Sequence, residues 1–209
     1  MDAPAEIIDG FWSQCAQVQM DHDLVYALFM SGDKQLTLFR EGAPLFFEDL
    51  YRLMRNSLFL QFCRVTDPAG SGRRTNLTSN YIVKAISWPP DVQRKLEEIN
   101  DRLMRFRGYI EAARSKRLAH ADLRSELGDI TLGKLPAGAD EQFLKDLEEF
   151  LTVAQNHLGR PAVSLTIGGS HDAHAIVRTL VEARLYNTCA NCNPTARMEA
   201  VLDYERYFL

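Results

Sequence analysis

The stretch Asp91–Arg117, DVQRKLEEINDRLMRFRGYIEAARSKR, decides the fold. Leu96, Ile99, Leu103, Phe106 and Ile110 recur in it at steps of three and four, the spacing that gathers side chains on one face of an α-helix. Such a face must be covered by a second apolar surface. Similar stripes recur along the rest of the chain without a confident strand, so the pattern predicts helix packed on helix, an all-α antiparallel bundle with additional C-terminal helices.

Beyond Ile110 the stripe turns polar. Its phase lands on Ala113, Arg114 and Arg117, and an arginine on the extension of a core stripe must reach solvent, pair, or face an anion. The string Arg114-Ser115-Lys116-Arg117-Leu118-Ala119-His120-Ala121-Asp122 then sets a permanent cation and a titratable imidazole six positions apart. At roughly 100° per residue these two lie about 120° apart around an unbroken helix. They converge only where the helix ends or distorts, or where two copies meet across a dimer. Arg117 and His120, at i and i+3, are neighbours either way.

Working outward, residues 5–30 carry Ile7, Ile8, Phe11, Trp12, Cys15 and Val18 in helical spacing, with Gly32 as the stop. Residues 33–43, where Leu36 and Leu38 alternate, read as a linker or short extended piece. Pro44 opens a helix with a stripe of Phe46, Leu50, Leu53, Ser57 and Leu60, ending before Pro68. Ala69–Arg74 reads as a flexible basic loop. Thr78 caps a short helix through Ile86, closed by Trp88-Pro89-Pro90. Gly128–Gly138 is a connector. Asp140 starts a helix with Phe143, Leu144, Leu147, Phe150, Leu151 and Leu158 inward, and Ser170 is a candidate cap for another carrying Ile176, Val177, Leu180, Val181 and Leu185. The expectation is one α-helical domain over residues 1–209, with its core at about 5–190 and a tail over 191–209 compatible with helix.

At 209 residues and 46% hydrophobic, the chain can bury a proper core. No run approaches 18 apolar residues, so no membrane-spanning helix is expected. The acidic start Met1-Asp2-Ala3-Pro4-Ala5-Glu6 lacks the basic and apolar regions of a secretory signal, and four cysteines do not make a disulfide framework. A cytoplasmic protein is expected. No P-loop, dinucleotide glycine motif, HExxH or nucleophile elbow is present.

The net charge of −4 argues against a general nucleic-acid coat protein. Charge is uneven, however: Arg102, Arg105, Arg107, Arg114, Lys116 and Arg117 face only Glu111, while the following helix is acidic at Asp140, Glu141, Asp146, Glu148 and Glu149. Two readings fit equally, a local site for a short polyanion and a pair of ion-paired neighbouring helices.

The RxxxxxH spacing at the end of a helix in an all-helical chain resembles the HEPN superfamily, and the fuller string Arg114–Leu123 looks like its abortive-infection U-type (AbiU-like) branch. A second patch agrees: Leu60–Pro68, then Asn76-Leu77-Thr78, is similar to that branch's helix, Asp-Pro stop and short helix. The resemblance covers about residues 5–190. It implies a metal-independent endoribonuclease or toxin-like effector without cofactors, with His120 as general acid or base and Arg114 as phosphate stabiliser. Ser115, Lys116, Arg117 and Asp122 are implied substrate-binding residues, with RNA as substrate, a homodimer as the active form and an antitoxin protein as a further partner. The chemistry is sufficient in kind. RNA carries its own nucleophile, the 2′-hydroxyl, so an imidazole to move a proton and a guanidinium to hold phosphate oxygens are enough. Two positions depart from family habit: Ser115 stands where Asn, Asp or His often follows the arginine, and Asp122 stands where some HEPN toxins carry an adenylylated tyrosine. The alternative, from another class, is a catalytically silent helical binding or scaffold protein, in which Arg114, Arg117 and His120 only satisfy a helix end.

A further constellation is His171, His174, Cys189 and Cys192. HxxH and CxxC are zinc-ligand pairs in kind, yet about a dozen helical residues between them carry the chain some 18 Å away. Incidental cysteines and a surface histidine pair are the alternative, and no bound metal is expected. Gly168-Gly169-Ser170-His171 reads as an anion-binding helix start or a simple loop and cap.

Overall fold

The computed structural model describes residues 4–71, 74–113, 135–166, 168 and 170–190. The fold is all-α: α1 (Pro4–Phe29), α2 (Asp33–Gly42), α3 (Pro44–Thr66), α4 (Ser79–Ala85), α5 (Pro90–Ala113), α6 (Ala139–His157) and α7 (Ser170–Ala190). Two strands of two residues each, β1 (Gly70–Ser71) and β2 (Arg74–Thr75), pair antiparallel where the loop after α3 was expected to be irregular. Among the described residues no helix is long and apolar enough to cross a membrane. The chain divides into two compact units, Met1–Gln19 with Asn56–Ile167, and Met20–Arg55 with Gly168–Leu209.

The first unit is organised on α5. Pro90 takes the first helical turn, where its missing N–H costs nothing. All five stripe residues, Leu96, Ile99, Leu103, Phe106 and Ile110, are buried, each contributing roughly 1.5–3 kcal/mol of transfer free energy. They meet α6 running antiparallel: Lys95 pairs with Glu149, Arg102 with Asp146, and Phe106 stacks on Phe143 at 4.3 Å. Phe62 of α3 meets both rings edge-on, 5.2 Å from Phe106 and 5.1 Å from Phe143. Edge-to-face and offset pairs at these separations add to simple burial.

α4 is fixed at both ends. The Thr78 hydroxyl accepts from the Tyr81 N–H at 3.2 Å, the expected cap, and the Trp88 indole N–H donates to the Ile82 carbonyl at 3.1 Å. Both bonds satisfy backbone groups or buried polar atoms that would otherwise be orphaned.

The second unit has its own core of Ala27, Leu28, Phe29, Leu38, Phe39, Phe47, Ala173, Val177 and Val181. Phe39 stacks on Phe47 at 4.1 Å and meets Phe29 edge-on at 5.7 Å. Three expectations are corrected here and in α3. Residues 33–42 form helix α2, because Leu38 and Phe39 fill this core and Gln35 reaches back to the Ala27 and Leu28 carbonyls at 2.7 and 2.6 Å, closing α1. Of the stripe expected on α3, Leu50 packs against this core, but Phe46, Leu53 and Leu60 are exposed, and Phe47, Leu58, Phe62, Cys63 and Val65 are buried instead. On α7, which contains Ser170 rather than following it, Ile176 is exposed while Ala173, Val177 and Val181 point inward.

Candidate functional site

Arg114, Ser115, Lys116, Arg117, His120 and Asp122 lie outside the described residues, as do the connector before Leu135 and the tail from Asn191. What is described is the platform from which the motif leaves, the last turns of α5 ending at Ala113.

That platform is built around a buried arginine. Arg107 donates through Nη1 to Asp67 Oδ1 at 2.7 Å and to the Cys63 carbonyl at 3.3 Å, and through Nε to Glu111 Oε2 at 2.9 Å. Its side chain is 9% exposed and that of Asp67 17%. Burial works against the charge, but the Asp67 hydrogen bond and the charges of Glu111 and Asp67 outweigh it, so its pKa is raised above the ordinary guanidinium value. Breaking such a buried pair from one side leaves an uncompensated charge, at a cost of about 3–5 kcal/mol.

The same junction closes the C-terminus of α3. The Thr66 hydroxyl donates to the Phe62 carbonyl at 2.9 Å. Asn80 of α4 donates to the Thr66 and Asp67 carbonyls at 3.1 and 3.3 Å, and its own oxygen accepts from Asn100 of α5 at 3.0 Å. Helix C-terminal carbonyls lack intrahelical partners and favour a nearby cation. Arg107 and Asn80 meet that need, and so tie α3, α4 and α5 together just before the motif.

These residues were not singled out from the sequence as a site. In the sequence Asp67 is only part of an Asp-Pro stop, and Arg107 only one cation in a run. The run itself resolves into pairs: Arg102 donates to Asp146 Oδ1 at 2.9 Å and also to Glu149, which Lys95 reaches at 3.0 Å. Burial opposes the Arg102 charge, but Asp146 and Glu149 outweigh it and raise its pKa; burial likewise pushes the Glu149 carboxyl up, but Lys95 and Arg102 hold it below the ordinary value. Ion-paired neighbouring helices therefore describe Arg102. Arg105 stays exposed, with no ion pair among the described residues.

The zinc constellation is pulled apart along one helix. His171, His174 and Cys189 all belong to α7, and the expected turn at Cys189 is helical. Cys189 stands fifteen positions beyond His174, about 22 Å of axial rise, so these three cannot share one ion. Cys192 lies outside the described residues. Cys15 and Cys63 are buried without a disulfide, and burial pushes the Cys15 thiol far above the usual range.

The model of one protein family, described as AbiU2 and belonging to the HEPN group, matches residues 2–176. No curated protein and no solved structure matches the chain.

Proposed function

This chain belongs to the HEPN AbiU2 family, and on that premise we propose that it is a metal-independent endoribonuclease, a toxin-like cytoplasmic effector in phage or stress defence. One observation carries the reading: the family match over residues 2–176 takes in the whole string from Arg114 to Asp122.

In the proposed reaction His120 accepts the proton of a ribose 2′-hydroxyl as that oxygen attacks the adjacent phosphorus. Arg114 holds the non-bridging oxygens as charge builds on them. The new 2′-oxygen–phosphorus bond forms while the bond to the 5′-oxygen breaks, and a proton is returned to the leaving oxygen. The products are a 2′,3′-cyclic phosphate and a 5′-hydroxyl. Lys116 and Arg117 pair with neighbouring phosphates, and Ser115 and Asp122 supply hydrogen bonds. The bonds from Arg107 to Asp67 and to the Cys63 carbonyl anchor α5 to the end of α3 seven positions before Arg114, which supports the junction as the base of the site.

The 120° divergence of Arg114 and His120 on a regular helix favours a homodimer whose two motifs share one cleft; light scattering checks it. An antitoxin protein is the expected controlling partner.

The test is incubation of the purified chain with mixed RNA in EDTA, followed by mapping of new 5′-hydroxyl ends. Discrete ends are expected, abolished in His120→Ala with the melting temperature nearly unchanged. Absence of new ends, or their persistence in His120→Ala, overturns the reading. The pairing of Arg102 and Arg107 with acids thins the basic patch, which is the observation favouring a catalytically silent binding or scaffold protein. RNA bound but left uncut selects that alternative.

A further inference from the structure

We propose that the cleft between the C-terminal half of α5 and the start of α6 is a nucleotide subsite for single-stranded RNA, with Tyr109 as a stacking platform and Arg105 as the phosphate partner. This deepens the ribonuclease reading and rests on it for the identity of the ligand.

The cleft has a volume of about 300 Å³, and Arg105, Phe106, Tyr109, Gly138, Gln142 and Phe143 are among its lining residues. That is at the lower end of the range for small-molecule pockets. Its floor is apolar, since Phe106 and Phe143 are buried against each other at 4.3 Å. Its rim is not. Tyr109 is 44% exposed in a helix whose neighbouring apolar positions, Phe106 and Ile110, are both buried.

The chemistry along this side of α5 changes in one direction. Positions 102, 105 and 109 follow one another at steps of three and four and all line the cleft, which makes them one ridge. Arg102 is spent on Asp146 and Glu149. The acid that lines the cleft, Asp146, is itself taken by Arg102 and by the Gln142 amide at 3.1 Å. Arg105, one turn on, is an exposed cation without an ion pair among the described residues, and Tyr109 is a ring presented to solvent one turn further still. The cation and the ring therefore stand together on the side of α5 that runs toward Arg114, five residues beyond Tyr109.

An exposed guanidinium beside an exposed ring on an apolar floor matches the two repeating parts of a single strand, a phosphate and a base with a π-face. A duplex would demand several cations side by side, and among the described residues lining this cleft the pairing of Arg102 leaves Arg105 alone without an acid. Stacking reads no base edge, so the subsite favours single strands with little sequence preference.

The experiment is fluorescence anisotropy of the full chain, titrated onto a labelled 2′-O-methyl RNA decamer that cannot be cleaved. Tyr109→Ala is expected to weaken binding roughly 5- to 150-fold, the equivalent of losing one stacked base, and Tyr109→Phe to retain it. Arg105→Ala is expected to weaken binding and to lower the salt slope by about 0.7. Arg52→Ala, an exposed arginine of the other unit paired with Asp49, should bind like wild type. Both test side chains are solvent-facing, so circular dichroism and melting should not change. Wild-type affinity in Tyr109→Ala and Arg105→Ala overturns the subsite, as does equal loss in Tyr109→Phe and Tyr109→Ala, or failure of the wild type to bind the decamer. Binding that depends on Tyr109 in a chain that cuts no RNA upholds the subsite and overturns only the ribonuclease reading.

Discussion

On α5 every large aliphatic residue at the core spacing is buried, and the rest of its circumference, Tyr109 excepted, is mostly charged or polar. On α3 apolar residues stand on both sides: Phe47, Leu58 and Phe62 are buried while Phe46, Leu53 and Leu60 are exposed. A helix with one apolar face has one way to pack, and its neighbours only accept the choice. A helix with two leaves the choice to its neighbours. Here the aromatic rings of Phe106 and Phe143 select Phe62, and Phe39 selects Phe47.

The contrast is open to attack, beginning with the largest effect. Asp67→Ala should destabilise the fold by about 3–5 kcal/mol, because it strands the buried guanidinium of Arg107; urea unfolding measures it, and a cost below 1 kcal/mol would mean that Glu111 and the Cys63 carbonyl suffice. Next, Leu103→Ala on the buried face of α5 should cost about 2–5 kcal/mol by transfer and cavity terms together. Glu149→Gln is smaller, at most about 1 kcal/mol at pH 7, since this pair is partly exposed. The pH dependence carries a sign. Glu149 is held below its unfolded value, so its contribution is complete above the ordinary carboxylate range and fades as pH falls through the folded value. Wild type and Glu149→Gln should therefore differ at pH 7 and converge as pH falls below the ordinary carboxylate range and through the folded value. Smallest of all, Leu53→Ala on the outer face of α3 should stay within about 0.5 kcal/mol; a core-sized loss there would show that this face is covered in solution.

The same contrast explains what was readable in advance. The stripe of α5, the Thr78 cap and the inward residues of α6 were legible because period and polarity agreed. α2 was not: Leu36-Thr37-Leu38 mimics strand alternation, and only its packing with Phe39 against Phe29 and Phe47 settles it as helix. The face of α3 was illegible for the reason just given. Arg107 was invisible as a clamp because its partner Asp67 stands 40 residues away, beyond any local pattern. The catalytic string was legible only by resemblance, since nothing in the spacing of Arg114 and His120 alone distinguishes a phosphate site from a helix end.

That 40-residue separation also sets an order of events during synthesis. At roughly 5–20 residues per second a ribosome takes about 2–8 s to make the interval, and Asp67 emerges long before the guanidinium that will meet it. Until Arg107 follows, the end of α3 can be closed only by its own Thr66 hydroxyl and by Asn80. Arg102 must wait longer still, for Asp146 and Glu149 of α6. The nascent chain therefore passes the whole string from Arg114 to Asp122 out of the exit tunnel before the helix beneath it can be fully fastened, and the clock for assembling this junction is translation itself.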